Sequence, residues 1–80
     1  MLEDIGPNIV IGTKQALKAM QAGALEYIYV AEDVEPYLKN KLITAGQEFG
    51  VQIRPAPSMK ELGAQCGIDV GAACVGVPKK

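Results

Sequence analysis

The chain has 80 residues, 49% of them hydrophobic and 21% charged, which leaves room for one small domain, residues 1–80, and sets it apart from disordered chains. Eight Lys and Arg face nine Asp and Glu, a formal charge of -1, with an isoelectric point near 5.3 and a mean hydropathy of +0.12. This excludes the overall basic field of a nonspecific polyanion binder, so any such site must be local. Histidine is absent, which removes the commonest general acid/base and the commonest borderline-metal ligand. The two cysteines, Cys66 and Cys74, fit no metal spacing and read as reduced, packed thiols of a cytoplasmic protein. Glu3 and Asp4 stand where a signal peptide wants positive charge, and no apolar run approaches the ~20 residues of a membrane span, so no membrane partner is expected.

In chain order, Ile9-Val10-Ile11 is a short β-branched strand ending at Gly12. Thr13 then offers a hydroxyl to the first free amides of a helix. Over residues 13–22, Ala16, Leu17 and Met20 recur at helical spacing and Lys14, Lys18 and Gln21 fall on the opposite stripe, with Gly23 as a left-handed stop. Residues 26–31 form the next strand, rich in β-branched and aromatic side chains. Pro36 opens a second helix whose core stripe is Leu38, Leu42, Ala45 and Phe49, down to Gly50. Residues 51–54 alternate as a third strand, and the Pro55-Ala56-Pro57 segment is expected to end its pairing. Ser58 and Glu61 have the spacing of a capping box. The helix they start has Met59, Leu62 and Cys66 on its apolar side and stops at Gly67, before a last strand over 72–77. The alternation predicts an α/β domain with helices on both faces of a four-stranded sheet, the strands at Tyr27 and Val51 being parallel neighbours.

Three places have residues with chemistry to offer. Gly12-Thr13-Lys14-Gln15 lies where a strand becomes a helix, exposing backbone amides and the positive end of a helix dipole to a phosphate or a polar base edge. It lacks the glycine spacing of nucleotide-cradling loops. Lys14 and Lys18 share one helix face, which is either a solvated stripe or a basic contact. The loop Ile68-Asp69-Val70-Gly71 puts two apolar side chains around one carboxylate; these either tuck into the domain or form an apolar contact surface. Glu32, Asp33 and Glu35 have no basic or nucleophilic companion and read as capping residues of the second helix. Ser58 has no histidine to activate it. No catalytic constellation, metal site or cofactor site is expected.

Taken together, four segments in order resemble the kink-turn-binding ribosomal protein superfamily, whose large-subunit members are called L-seven-Ae and L-thirty-e. They are residues 12–19, 30–36, 58–63 and 66–73, within a likeness spanning residues 9–77, and the small bacterial, ribosomal-protein-like members are the nearest in character. The resemblance implies a three-layer α/β/α sandwich with a four-stranded mixed sheet and a noncatalytic protein that recognises and stabilises kink-turn RNA, with its tandem sheared G·A pairs. Structured RNA, ribosomal RNA or the ribosome included, is then the expected partner; DNA is not, and the protein should be a monomer without RNA.

The archaeal and eukaryotic turn reads Gly-Ala-Asn-Glu, with Lys four residues after the Asn. This maps Gly12, Thr13, Lys14, Gln15 and Lys18 onto the RNA-reading positions, Lys14 replacing an amide and Gln15 a carboxylate. The resemblance makes Ile68, Asp69, Val70 and Gly71 the second RNA surface, where apolar side chains pack on unstacked bases. For the two surfaces to meet, the first and last strands must be antiparallel, and an acidic isoelectric point is compatible with such a site provided that Glu32, Asp33 and Glu35 lie away from that edge. Lys79 and Lys80 add phosphate contacts only if the tail reaches the same side; a frayed terminus is the alternative. A protein-interaction or assembly subunit using the Ile68–Val70 loop as a protein contact is the competing reading, and a small metabolite-binding or enzymatic α/β domain using the Gly12-Thr13 turn is a third.

Overall fold

In the computed structural model, which describes residues 9–79, seven elements alternate: β1 (Val10–Ile11), α1 (Thr13–Gln21), β2 (Leu25–Ala31), α2 (Pro36–Phe49), β3 (Gln52–Ala56), α3 (Met59–Gln65) and β4 (Cys74–Pro78). The strands form one sheet in the order β1-β4-β2-β3. β2 and β3 are parallel, with Ile28 beside Ile53, as a right-handed crossover through α2 requires. β4 inserts antiparallel between β1 and β2. The sheet is therefore mixed, and α1 and α2 pack together on one face while α3 lies over β3 and β4, giving the three-layer α/β/α arrangement.

The burial pattern follows from strand position. Every residue of β2 except Glu26 is buried, as are Cys74, Val75, Gly76 and Val77 of β4, because these central strands are covered on both faces. The largest fully buried side chains, among them Met20, Leu42, Leu62, Ile28 and Val75, come from all three helices and from the sheet. α1 and α3 stop alike: the Gly23 and Ala24 amides donate to the Met20 and Ala19 carbonyls, both at 3.0 Å, and those of Gly67 and Ile68 to Ala64 and Gly63, both at 3.1 Å. Both are Schellman closures on a positive-φ glycine.

Several local expectations need correction. β3 continues through Pro55 and Ala56, which pair with Val30 and Ala31. The Ala56 carbonyl accepts from the Glu32 amide, so Pro55, one residue before, turns its missing N–H to the open side of an edge strand, where a proline costs no ladder bond. The last strand begins at Cys74, with Ala72 and Ala73 in the approach to it, and Val51 precedes β3. Phe49, expected in the core stripe of α2, is 38% exposed.

Thr13 does not cap α1. Gly12 holds the N-cap position at φ 101° and ψ 152°, without a side-chain cap bond. Nor do the acids cap α2, whose N-cap residue Glu35 likewise makes no side-chain cap bond. Glu32 pairs with Lys39 at 3.1 Å, and Asp33 serves a different helix, its Oδ1 accepting from the Met59 amide at 2.8 Å. At α3 the Ser58 hydroxyl accepts from the Glu61 amide at 3.0 Å, so the serine half of the capping box is formed. Glu3, Asp4 and Lys80 lie outside the described residues.

Candidate nucleic-acid interface

Strand direction assembles the site. β1, β2 and β3 run one way and β4 the other. The turns leaving the first three and the loop leading into the fourth therefore meet at one end of the sheet. There the Gly12 amide donates to the Cys74 carbonyl at 3.1 Å, tying the exit of β1 to the start of β4. The antiparallel register, Ile11 beside Val75, is the one that brings residues 12–15 and the 68–71 approach to β4 to a common end. Gly12 makes the turn possible, because its φ and ψ lie in a region that side-chain-bearing residues avoid.

From this turn α1 projects its polar stripe. Lys14, Gln15 and Lys18 are all exposed, and among the described residues neither lysine has a carboxylate partner. Thr13 is half-buried, and its Oγ1 faces the Cys74 thiol at 4.0 Å. Burial pushes that thiol's pKa up to about 11, drawn back in part by the Thr13 hydrogen bond; the half-buried Cys66 thiol is raised by burial as well. Both cysteines are free and protonated near neutrality.

The second surface is held by close backbone contact. Gly63 of α3 lies against the Val70 carbonyl so closely that a Cβ there would collide with it. Gly71 in turn sits over Met59, whose Cβ would be 3.1 Å from a Cβ at position 71. The Ala72 amide donates to the Met59 carbonyl at 3.0 Å and the Ala73 carbonyl accepts from Ala31 at 3.0 Å. On this frame Ile68 packs against the core, while Val70 is 70% exposed and Asp69 and Gly71 are exposed. The two apolar residues thus divide, one anchoring the loop and one presented to solvent.

The model of the Ribosomal protein L7Ae/L30e/S12e/Gadd45 family matches residues 5–80. The chain belongs to that family. This family member is 46% identical over 70 residues to an RNA-binding protein of Bacillus pumilus, the match covering 88% of this chain and 85% of that protein. It is 44% identical over 73 residues to an RNA-binding protein of Caldanaerobacter subterraneus subsp. tengcongensis, covering 91% and 89% respectively. A solved 15.5kD RNA binding protein of Giardia lamblia superposes with a TM-score of 0.82 at 27% identity, covering 90% of this chain and 61% of that one.

One expectation about the charge around the candidate site of this L7Ae-family chain is corrected, and the condition for a Lys79 contact is not met. Glu32, Asp33 and Glu35 do not lie away from the edge: they follow β2, whose exit bonds directly to Ala73. Their charge is partly committed inside the protein, through Lys39 for Glu32 and through the α3 amide for Asp33. Lys79 lies at the far end of β4, its amide donating to Ala24 at 3.0 Å, a whole strand away from the 68–71 loop. The described residues include no group of three or more His, Cys, Asp or Glu arranged to hold a metal, and no helix among them is long and apolar enough to cross a membrane. Sequence reasoning missed Asp33 and Gly63 as parts of the frame; their partners are 26 and 7 residues away, beyond any local motif.

Proposed function

We propose that this chain is a noncatalytic RNA-binding protein that recognises and stabilises kink-turn RNA. The observation that carries this reading is the convergence of the Gly12–Lys18 turn and the 68–71 loop at one end of the sheet through the Gly12–Cys74 bond; its similarity to RNA-binding proteins supports the RNA part. In this reading the α1 start enters the opened groove. Lys14 and Lys18 donate to guanine O6 and N7 or to phosphate, and the Gln15 side-chain carbonyl accepts from a guanine amino group. Exposed Val70 covers a base that has left the stack, Asp69 and Gly71 shape the rim, and Ile68 anchors it. The neighbouring acids disfavour RNA drawn in by charge alone, so recognition rests on shape.

The test is titration of a labelled kink-turn RNA and a matched duplex, following end-to-end distance. Preferential binding with bending of the kink-turn is expected, with a log-log salt slope of about -2 to -4 for a few phosphate contacts. Equal affinity for the two RNAs refutes the proposal. Gel filtration of RNA-free protein tests the assembly reading, which requires a stable oligomer where this one requires a monomer.

A further inference from the structure

The 68–71 loop has few bonds of its own to fix it, yet Met59 connects it to a residue far away in sequence. The Met59 amide donates to Asp33 Oδ1 at 2.8 Å, and the Met59 carbonyl accepts from the Ala72 amide at 3.0 Å. One peptide unit on either side of a single residue therefore links the β2–α2 turn to the loop. Around that link Gly63 and Gly71 leave no space for the loop to slide along α3, because a Cβ at either would press on Val70 or on Met59. Two residues before Asp33, the Ala31 amide holds the Ala73 carbonyl at 3.0 Å. The end of β2 thus holds Ala73 directly, and the turn after it reaches Ala72 through Met59.

We infer that Asp33 is a positioning residue for RNA recognition: through Met59 it fixes the height of α3 and of the 68–71 loop relative to the α1 start. The inference rests on the proposed RNA site and adds to it a residue that makes no RNA contact. An ionised carboxylate is a strong acceptor for the first amide of a helix, and α3, with seven residues, has too little hydrogen bonding of its own to hold its place without tertiary ties. Without the carboxylate the tie from the β2–α2 turn to α3 is lost, and α3 and the loop shift as a unit against the core packing of Leu62 and the Ala31–Ala73 bond. Val70 is then misplaced relative to Lys14 and Gln15, although each surface stays intact.

The experiment compares Asp33→Ala, Asp33→Asn and Ser58→Ala with the unaltered chain, all at a temperature where each is fully folded by circular dichroism. Asn keeps an acceptor oxygen and so restores the link without the charge. Ser58→Ala removes the other cap of the same helix and controls for helix integrity. Asp33→Ala should weaken kink-turn binding about tenfold, the lower range for a hydrogen bond to a charged group. Asp33→Asn should return to within about twofold and Ser58→Ala should bind as the unaltered chain does. In RNA-free protein, amide exchange at Ala72 and the NMR shifts of residues 68–71 should change in Asp33→Ala only. Unchanged binding by Asp33→Ala, equal loss in Ser58→Ala, or no recovery in Asp33→Asn overturns the inference. If the unaltered chain does not distinguish a kink-turn from a duplex, the RNA reading fails instead, and the Ala72 exchange still shows whether Asp33 holds the loop.

Discussion

The starts of α1 and α3 lie at the same end of the sheet and are built in opposite ways. α3 is closed from within: Ser58 takes the Glu61 amide and Asp33, from another turn, takes the Met59 amide. α1 has no side-chain cap, begins at a glycine in a conformation that few other residues adopt, and presents Lys14, Gln15 and Lys18 outward. A helix start satisfied by its own protein serves as a foundation, whereas one without a side-chain cap keeps its first amides and dipole for a partner. The 68–71 loop is seated on the closed helix and takes its position from β4, the strand beside the open one.

The strongest way to break this contrast is at the foundation. Gly63→Ala places a methyl group against the Val70 carbonyl, and because backbone must give way the fold should lose about 3 kcal/mol by urea unfolding. RNA affinity should fall with it; a variant of unchanged stability would mean that the loop is not seated on α3. Close behind comes the packing beneath the open helix. The folded Cys74 thiol keeps its proton to about pH 11 against 9.0 for an ordinary thiol. Stability is therefore whole below pH 9 and declines as the pH rises towards 11, by about 2–3 kcal/mol. Unfolding midpoints measured across that window check this, and Cys74→Ala, less stable than the unaltered chain below pH 9, should show a flatter curve above it.

The open helix sharpens the contrast from the other side. Lys14→Ala with Lys18→Ala should leave stability within about 0.5 kcal/mol, since both side chains are exposed. The same pair should make the salt slope of kink-turn binding shallower by about 2. Fluorescence titration at several salt concentrations reads the binding, and an unchanged slope would remove the lysines from the site. The smallest effect is expected from Ser58→Ala, about 1 kcal/mol of stability lost with the cap and no change in RNA affinity.

The legible parts of the fold were those whose cause lies within a few residues. The glycine stops at 23, 50 and 67, the proline at the first turn of α2 and the Ser58 cap are all present as read. Errors arose where a local rule met a distant partner. The two prolines beside Ala56 suggested the end of a strand, yet Pro55 pairs because β3 has an open edge. Phe49 keeps the helical spacing of the core stripe but, as the last residue of α2, is 38% exposed: periodicity gives the buried face of a helix and not how far along it the burial extends. The acids after β2 obeyed the rule that negative charge suits a helix start, but Asp33 found the start of α3 instead of α2.

The candidate site divides along the same line. The glycine turn, the lysine stripe and an apolar loop that needs a partner can be read residue by residue, because exposure of a helix face and the conformational demand of a turn are local properties. The resemblance to the family required an antiparallel first and last strand, and the register of Ile11 beside Val75 meets that requirement.

By itself, then, the sequence determined the order of strands and helices, the ends of the helices and the small number of cations available to a polyanion, since periodicity, capping and composition are carried by neighbours in the chain. Only the tertiary structure decided that the acids share the candidate site's end of the sheet, that Lys79 lies at the opposite end, that Asp33 accepts from the start of α3, and that Gly63 lies against the loop. Those facts depend on which strand lies beside which and in what direction, and a hydrogen bond between residues 26 positions apart exists only once the sheet has brought them together.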